Sequence, residues 1–334
     1  MTEIAKLIRG DLSMAATKGF FAVGRDSFLK ACSLGINEGA AFLVLARGTG
    51  GDNVTTKWSA EAASKRLGVR WTTARDAVAS LVKQGVVLSE PGKKPKYKIQ
   101  RQGDDIWLPN AVVDGVESEI PPVTKIRQTQ DPMALRLFVE LYAQQNLRED
   151  GGISRKVTEK VFKREKIGQR GAHVVWLCEV ENTYLHWGNA ATDPHRLKGV
   201  DAPGQKFFQR FGILEDLGLV EWVPYLFEGP KGEPIHPLAW NGIDIEKRLY
   251  KACVTAANDL LTVAQKEWLQ SSGRGGWLVA APAHMLEVTM LGIARLRYRP
   301  HTRLTSAWWA DYQETCTRFA KGYESISEAS AAAA

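Results

Sequence analysis

Between Ile36 and Arg47 apolar residues fall at Ile36, Ala40, Leu43 and Val44, one face of a helix. Gly48, Gly50 and Gly51 end that run, and Asn53 to Lys57 reads as a short extended piece. Ser59 is placed to cap a helix to Leu67, with Glu61 in the first turn, where the helix dipole favours negative charge. Gly68 and Val69 make a turn. The next helix, capped by Thr72, runs to about Gln84 and is apolar at Ala74, Ala77, Val78, Leu81 and Val82. That spacing is a single helical stripe. Gly85 stops it. Val86-Val87-Leu88 and Tyr97-Lys98-Ile99 then read as two strands joined by a Pro91-Gly92 turn.

Residues 1–34 read as a lead-in with short buried pieces at Phe20, Phe21, Val23, Phe28 and Leu29. Residues 102–131, with Gly103, Gly115 and Pro121-Pro122, read as a linker. A further unit spans 132–240. Leu135, Phe138, Val139 and Tyr142 stripe its first helix, Gly151-Gly152-Ile153 a short strand, and Ser154 caps a basic helix from Arg155 to Arg164. An insertion with the loop WGNAATDPHRLKG follows. Lys206 to Leu217 is then a helix, Leu219 to Val223 a strand, and Glu228 to Gly232 a turn. Residues 241–334 read as helical, with helices over Ile245–Trp268, Met285–Leu296 and Thr305–Tyr323. The fold class expected is mainly α with small β-wings, an α+β arrangement.

Charge sharpens one part of this picture. Val54 to Arg101 holds eleven Lys/Arg against three Asp/Glu, a net +8, while the whole chain is +7. The basic excess therefore sits in one segment, which suits a polyanion partner. No apolar stretch reaches the ~20 residues that span a bilayer, and Met1 to Ser13 lacks a continuous apolar core, so neither membrane nor secretion is expected. Cys32, Cys178, Cys253 and Cys316 are too scattered for a metal site and read as buried reduced thiols of a cytoplasmic protein.

Helix, short strand, helix, tight turn, helix and hairpin over residues 35–101 is the order of a winged helix-turn-helix. In that motif the second helix of the pair lies in the DNA major groove. Its leading residues here are Arg70, Trp71, Thr72, Thr73 and Arg75. Either arginine can pair with a guanine, and the threonines can meet a phosphate or a thymine methyl. Trp71 suits either the sugar-phosphate backbone or the edge of the core. Lys93, Lys94, Lys96 and Lys98 crowd the hairpin, with Lys83 and Arg101 at its base, so the wing can neutralise phosphates or, more plainly, solubilise an edge. The face of the helix carrying Thr73, Arg75, Asp76, Ser80 and Lys83 is polar, which favours DNA over a protein partner.

SAEAASKRLGVRWTTARDAVASLVKQGVV resembles the DNA-binding domain of GntR-type bacterial regulators, at Glu61, Ala62, Ala63, Leu67, Gly68, Val69, Thr72, Thr73, Arg75, Asp76, Ala77, Leu81 and Gly85. The resemblance implies that Arg75 and the threonines touch DNA. The pattern "helix, Q-G-V-V, strand, Pro-Gly turn" is echoed by "helix, L-G-L-V, strand, Gly/Pro turn" in 132–240. That unit reads as a second winged helix or as a plain α+β domain; two winged helices in tandem resemble plasmid and phage replication initiators. The expectations are a sequence-specific regulator bound to double-stranded DNA, bacterial or phage-encoded and nucleoid-associated. The alternatives are a replication initiator and an assembly subunit whose winged helix binds protein. Homodimerisation through the aromatic C-terminal helices would suit a palindromic site. There is no phosphate loop, nucleophile elbow or H-E-x-x-H, so neither an enzyme nor a cofactor is expected. His284 and Glu287, one helical turn apart, are the nearest thing to a catalytic or metal pair.

Overall fold

The computed structural model describes residues 19–92, 95–117, 119–146, 151–187, 205–299 and 303–332. Among the described residues helix accounts for 46% and strand for 26%, so the architecture is mixed rather than mainly α. Two short sheets and one large curled sheet organise it.

The lead-in forms β1 (Phe20–Gly24) and α1 (Arg25–Leu34). α2 (Ile36–Arg47) is buried on nearly every side, with Ala40 to Ala46 at 1% exposure or less. A helix that is apolar all round is a core helix, and α2 is the one around which this part of the chain packs. β2 (Thr55–Thr56), α3 (Ala60–Leu67), α4 (Trp71–Lys83), β3 (Val87–Ser89) and β4 (Tyr97–Ile99) follow. The strands make a small antiparallel sheet in the order β2-β4-β3.

The 102–131 segment is structured. β5 (Asp105–Pro109) pairs antiparallel with β1, Ala22 opposite Trp107. Its Ile106 and Leu108 are buried while Asp105 and Trp107 face outward, a plain period-2 alternation. α5 (Ala111–Asp114) and α6 (Pro122–Gln128) follow and bury Val112, Val113, Val123 and Ile126. α7 (Pro132–Tyr142), capped by the Asp131 carboxylate 2.8 Å from the Met133 N–H, packs into the same core as α1 and α2.

Beyond α7 the basic helix expected over Arg155–Arg164 is a strand. β6 (Thr158–Arg170) and β7 (His173–Leu185) form a long hairpin whose register shifts at Val161/Phe162 and Lys166/Gly168. Those shifts break the alternation that marks a strand. The expected repeat of the winged helix therefore lacks the first helix of its helix-turn-helix pair. The WGNAATDPHRLKG loop lies largely outside the described residues. α8 (Gln205–Asp216) and β8 (Val220–Phe227) fall where a helix and a strand were expected, and the expected turn at Glu228–Gly232 leads into a further strand, β9 (Pro234–Pro237). β8 and β9 belong to a six-stranded sheet in the order β10-β7-β6-β11-β8-β9, with β10 (Trp277–Pro282) and β11 (Thr289–Leu296).

The expected helix Met285–Leu296 is thus a turn leading into β11, and His284 and Glu287 lie in that turn rather than on one helical face. β11 is buried from Met290 to Leu296. An apolar run buried on both faces carries no period to separate strand from helix. The expected helix Ile245–Trp268 is two, α9 (Asp244–Leu260) and α10 (Val263–Ser271). Thr262 breaks it by capping α10 in a reciprocal bond with Gln265. α11 (Arg303–Ala332) lays Trp308, Tyr312, Cys316, Ala320 and Tyr323 onto α9 and the sheet. All four cysteines are free and buried; burial pushes the Cys178, Cys253 and Cys316 thiols up to about 12.

Candidate nucleic-acid interface

α3 and α4 meet across a turn whose parts are held locally. The Ser59 hydroxyl accepts from the Glu61 N–H at 3.3 Å. Gly68 takes the left-handed conformation, φ 60°, that ends a helix with least strain. The Ser64 hydroxyl then donates to the Val69 carbonyl at 2.7 Å, tying α3 to the turn. α4 begins earlier than expected: Arg70 is its N-cap, without a side-chain cap bond, and Thr72 lies inside the first turn. Ala74, Ala77, Val78 and Leu81 face the core.

The opposite face of α4 is open. Arg70, Thr72, Arg75 and Asp76 are exposed, Thr73 is half-buried, and Trp71 is 53% exposed. Trp71 is thus not a core residue. The Arg75 guanidinium sits 5.2 Å from the Trp71 ring centre and donates to Asp76 Oδ1 through Nε at 3.0 Å and Nη2 at 2.8 Å. Lys83 is exposed at the far end of α4, about 18 Å along the axis at 1.5 Å per residue. It is therefore no part of the Arg70–Arg75 cluster.

Lys96 and Lys98 are exposed on the hairpin, but both turn to one carboxylate. Their ammonium groups lie 2.5 and 2.7 Å from Glu90. Hydrogen bonds from Lys96 and Lys98 hold the Glu90 carboxyl below its ordinary value. Lys93 and Lys94 lie outside the described residues. Arg101 pairs with Asp105 of β5. Each acid of the basic segment is engaged, since Glu61 also meets Lys65 at 2.8 Å. Among the described cations of Val54–Arg101, Lys57, Arg70 and Lys83 make no ion pair.

The sequence reading missed a cluster that positions α3. The Trp58 ring lies under the Arg66 guanidinium at 3.5 Å and near that of Arg47 at 5.6 Å. Asp114 of α5 receives both arginines, Arg47 at 2.6 Å and Arg66 at 3.4 Å. A Cβ on Gly48 would stand 2.3 Å from the Trp58 ring, so only glycine lets the ring seat there. The available signal was Trp58 itself, one residue before the Ser59 cap, where an apolar side chain commonly staples a helix start.

Among the described residues no three His, Cys, Asp or Glu side chains gather as metal ligands, and no helix is long and apolar enough to cross a membrane. No protein-family model, curated protein or solved structure matches this chain.

Proposed function

We propose that residues 35–101 are a winged helix-turn-helix and that the chain binds double-stranded DNA through it, as a sequence-specific regulator. One observation carries the reading: Arg70, Trp71, Thr72 and Arg75 stand exposed together at the start of α4, the end that a helix-turn-helix presents to base edges. Arg70 has no carboxylate to surrender on binding. Arg75 must exchange Asp76 for a guanine, a modest cost because both groups are exposed. Lys57 and Lys83 are exposed and supply unpaired charge for phosphates. GntR-type regulators, which the α3–α4 stretch resembles, provide the analogy for a regulatory role.

A second reading rests on Trp71 and Leu88, which are 53% and 46% exposed on this unit. Exposed apolar groups of that size suit a protein partner. One experiment separates the two. Fragments of genomic DNA are selected on the purified full chain, and the recovered site is compared with scrambled duplex at two salt concentrations. Under the DNA reading, Arg70→Ala and Arg75→Ala each lose about 1–3 kcal/mol of discrimination. Lys57→Ala and Lys83→Ala weaken all sequences alike and flatten the salt dependence. Recovery of no preferred sequence, with neither arginine variant altering binding, sinks the DNA reading and leaves the protein partner.

A further inference from the structure

A cavity of about 320 Å³ opens between α8 and the large sheet, lined by no residue of α4. That volume is within the range of small-ligand sites. Three tryptophans contribute to its walls: Trp222 of β8, Trp277 of β10, and Trp240 from the segment after β9. Trp240 is 61% exposed, an unusual cost for so large an apolar ring. Gly292 of β11 forms part of the floor. A Cβ there would press to 2.8 Å against Cβ of Lys160, so glycine keeps the floor flat.

Two opposite charges face the same space. Lys160 of β6 lies with its ammonium 4.7 Å from the Trp222 ring centre, and Glu215 comes from the last turn of α8. Burial pushes the Lys160 ammonium below its ordinary value and the Glu215 carboxyl above its own. Each senses the other's charge, yet no ion pair or hydrogen bond joins them. Lys160 is half-buried and Glu215 is exposed, so both charged groups stay accessible to a molecule in the cleft. A bound molecule that presents an anion to Lys160 and an N–H donor to Glu215 would satisfy both at once.

We propose that this cleft binds a nucleotide, its base against the tryptophans, its phosphate on Lys160 and an amino-bearing base edge on Glu215. Aromatic walls accept the flat face of any base, while a carboxylate selects bases with exocyclic amino or ring N–H donors. Guanine, with two adjacent donors, is the best match. The aromatic rings alone would suit other flat molecules. The lysine and the carboxylate together narrow the choice to one that is anionic at one end and a donor at the other. The nucleotide can be free or an unpaired residue of a DNA strand. The site is independent of the DNA reading of α4, which uses other residues on another part of the chain.

The test is calorimetric titration of the full chain with dGMP, dTMP, inorganic phosphate, L-tryptophan and a short single-stranded oligonucleotide rich in dG. The expected result is saturable binding of dGMP, weaker binding of dTMP, and none of phosphate alone. Trp240→Ala should weaken binding roughly tenfold or more, and being at the rim it leaves the fold intact by circular dichroism. Glu215→Gln should erase the preference for dGMP over dTMP. Binding of the oligonucleotide but not of dGMP, lost in Trp240→Ala, identifies an unpaired strand as the source. Absence of binding by both nucleotide and oligonucleotide, binding unchanged in Trp240→Ala, or binding of L-tryptophan in preference to dGMP overturns the proposal. Arg70→Ala should leave dGMP binding unchanged, so failure here and failure of the duplex-DNA reading are told apart.

Discussion

The helical unit around α4 and the sheet beneath α11 use charge in opposite ways. On α4 the Arg75–Asp76 pair is 53% and 66% exposed. Under α11, Arg295 of β11 is buried and donates to Glu246 of α9 at 2.6 Å and to Glu221 of β8 at 2.8 Å. Tyr312 of α11 donates to the same Glu246 oxygen. Burial pushes the Glu246 carboxyl up, but Arg295, Tyr312 and the Ile243 N–H outweigh it and hold it below its ordinary value. An exposed pair contributes ~0–1 kcal/mol and can be traded for a phosphate. A buried pair cannot be opened without stranding a charge. Arginine is thus a replaceable contact in one region and a fixed joint between β8, β11, α9 and α11 in the other.

The strongest way to break that contrast is Glu246→Ala. It should destabilise the chain by about 3–5 kcal/mol, read as a lower urea midpoint. A loss under about 1 kcal/mol would place the Arg295 cluster with the surface pairs. Acid should act next. His236 is buried, its Nδ1–H donating to the Pro237 carbonyl at 3.0 Å and its Nε2 accepting from the Tyr323 hydroxyl at 2.9 Å. Burial lowers its pKa from 6.5 to about 4. The unfolded chain therefore binds a proton that the folded chain refuses between those values. His236 should contribute a stability loss that grows as pH falls from 6.5 to about 4 and then levels off, reaching about 3 kcal/mol. His236→Gln should remove that part of the pH dependence; an unchanged pH profile would show that His236 charges freely in the fold.

Arg299 sharpens the comparison from the other side. It is buried over the Trp308 ring at 4.0 Å, and none of its three guanidinium nitrogens has a hydrogen-bond partner. Burial, then Arg295, pushes it down to about 10. Replacing an unpaired buried charge by a matching apolar chain should stabilise, so Arg299→Met is expected to raise stability by about 1 kcal/mol or more. A lower melting temperature would contradict this. The smallest effect belongs to the wing. Glu90→Gln frees Lys96 and Lys98, should change stability by less than about 0.5 kcal/mol, and should steepen the salt dependence of DNA binding by about one to two ions. An unchanged salt slope would mean that the hairpin lysines do not meet phosphate.

Residues 36–99 were legible because each element carries its own start or stop: the Ser59 hydroxyl, left-handed Gly68 and Gly85, and the stripe from Ala74 to Val82. The slip at the start of α4 is local. Thr72 is a good capping residue, but the chain is already helical at Trp71. The large sheet was hidden for a different reason. Many of its pairings join distant residues, such as Leu291 with Val161 and Trp277 with Cys178, and no short window of sequence holds both partners. Charged β6 read as a helix because its bulges spoil the period, and apolar β11 because it has none. In the candidate interface the residues were legible but their pairing was not. Nothing in the hairpin's composition says that Glu90 collects two of the wing lysines.

The seat of Trp58 against Gly48 carries a consequence for heredity. The direction in which α3, and after it α4, leaves the core is set by a hydrogen where any other residue has a carbon. A mutant screen for lost DNA binding should therefore return Gly48 alleles beside those of Arg70 and Arg75, though Gly48 is not among the residues proposed to touch DNA. Second-site revertants of Gly48→Ala should fall at Trp58, as smaller side chains, while those of Arg75→Ala should not.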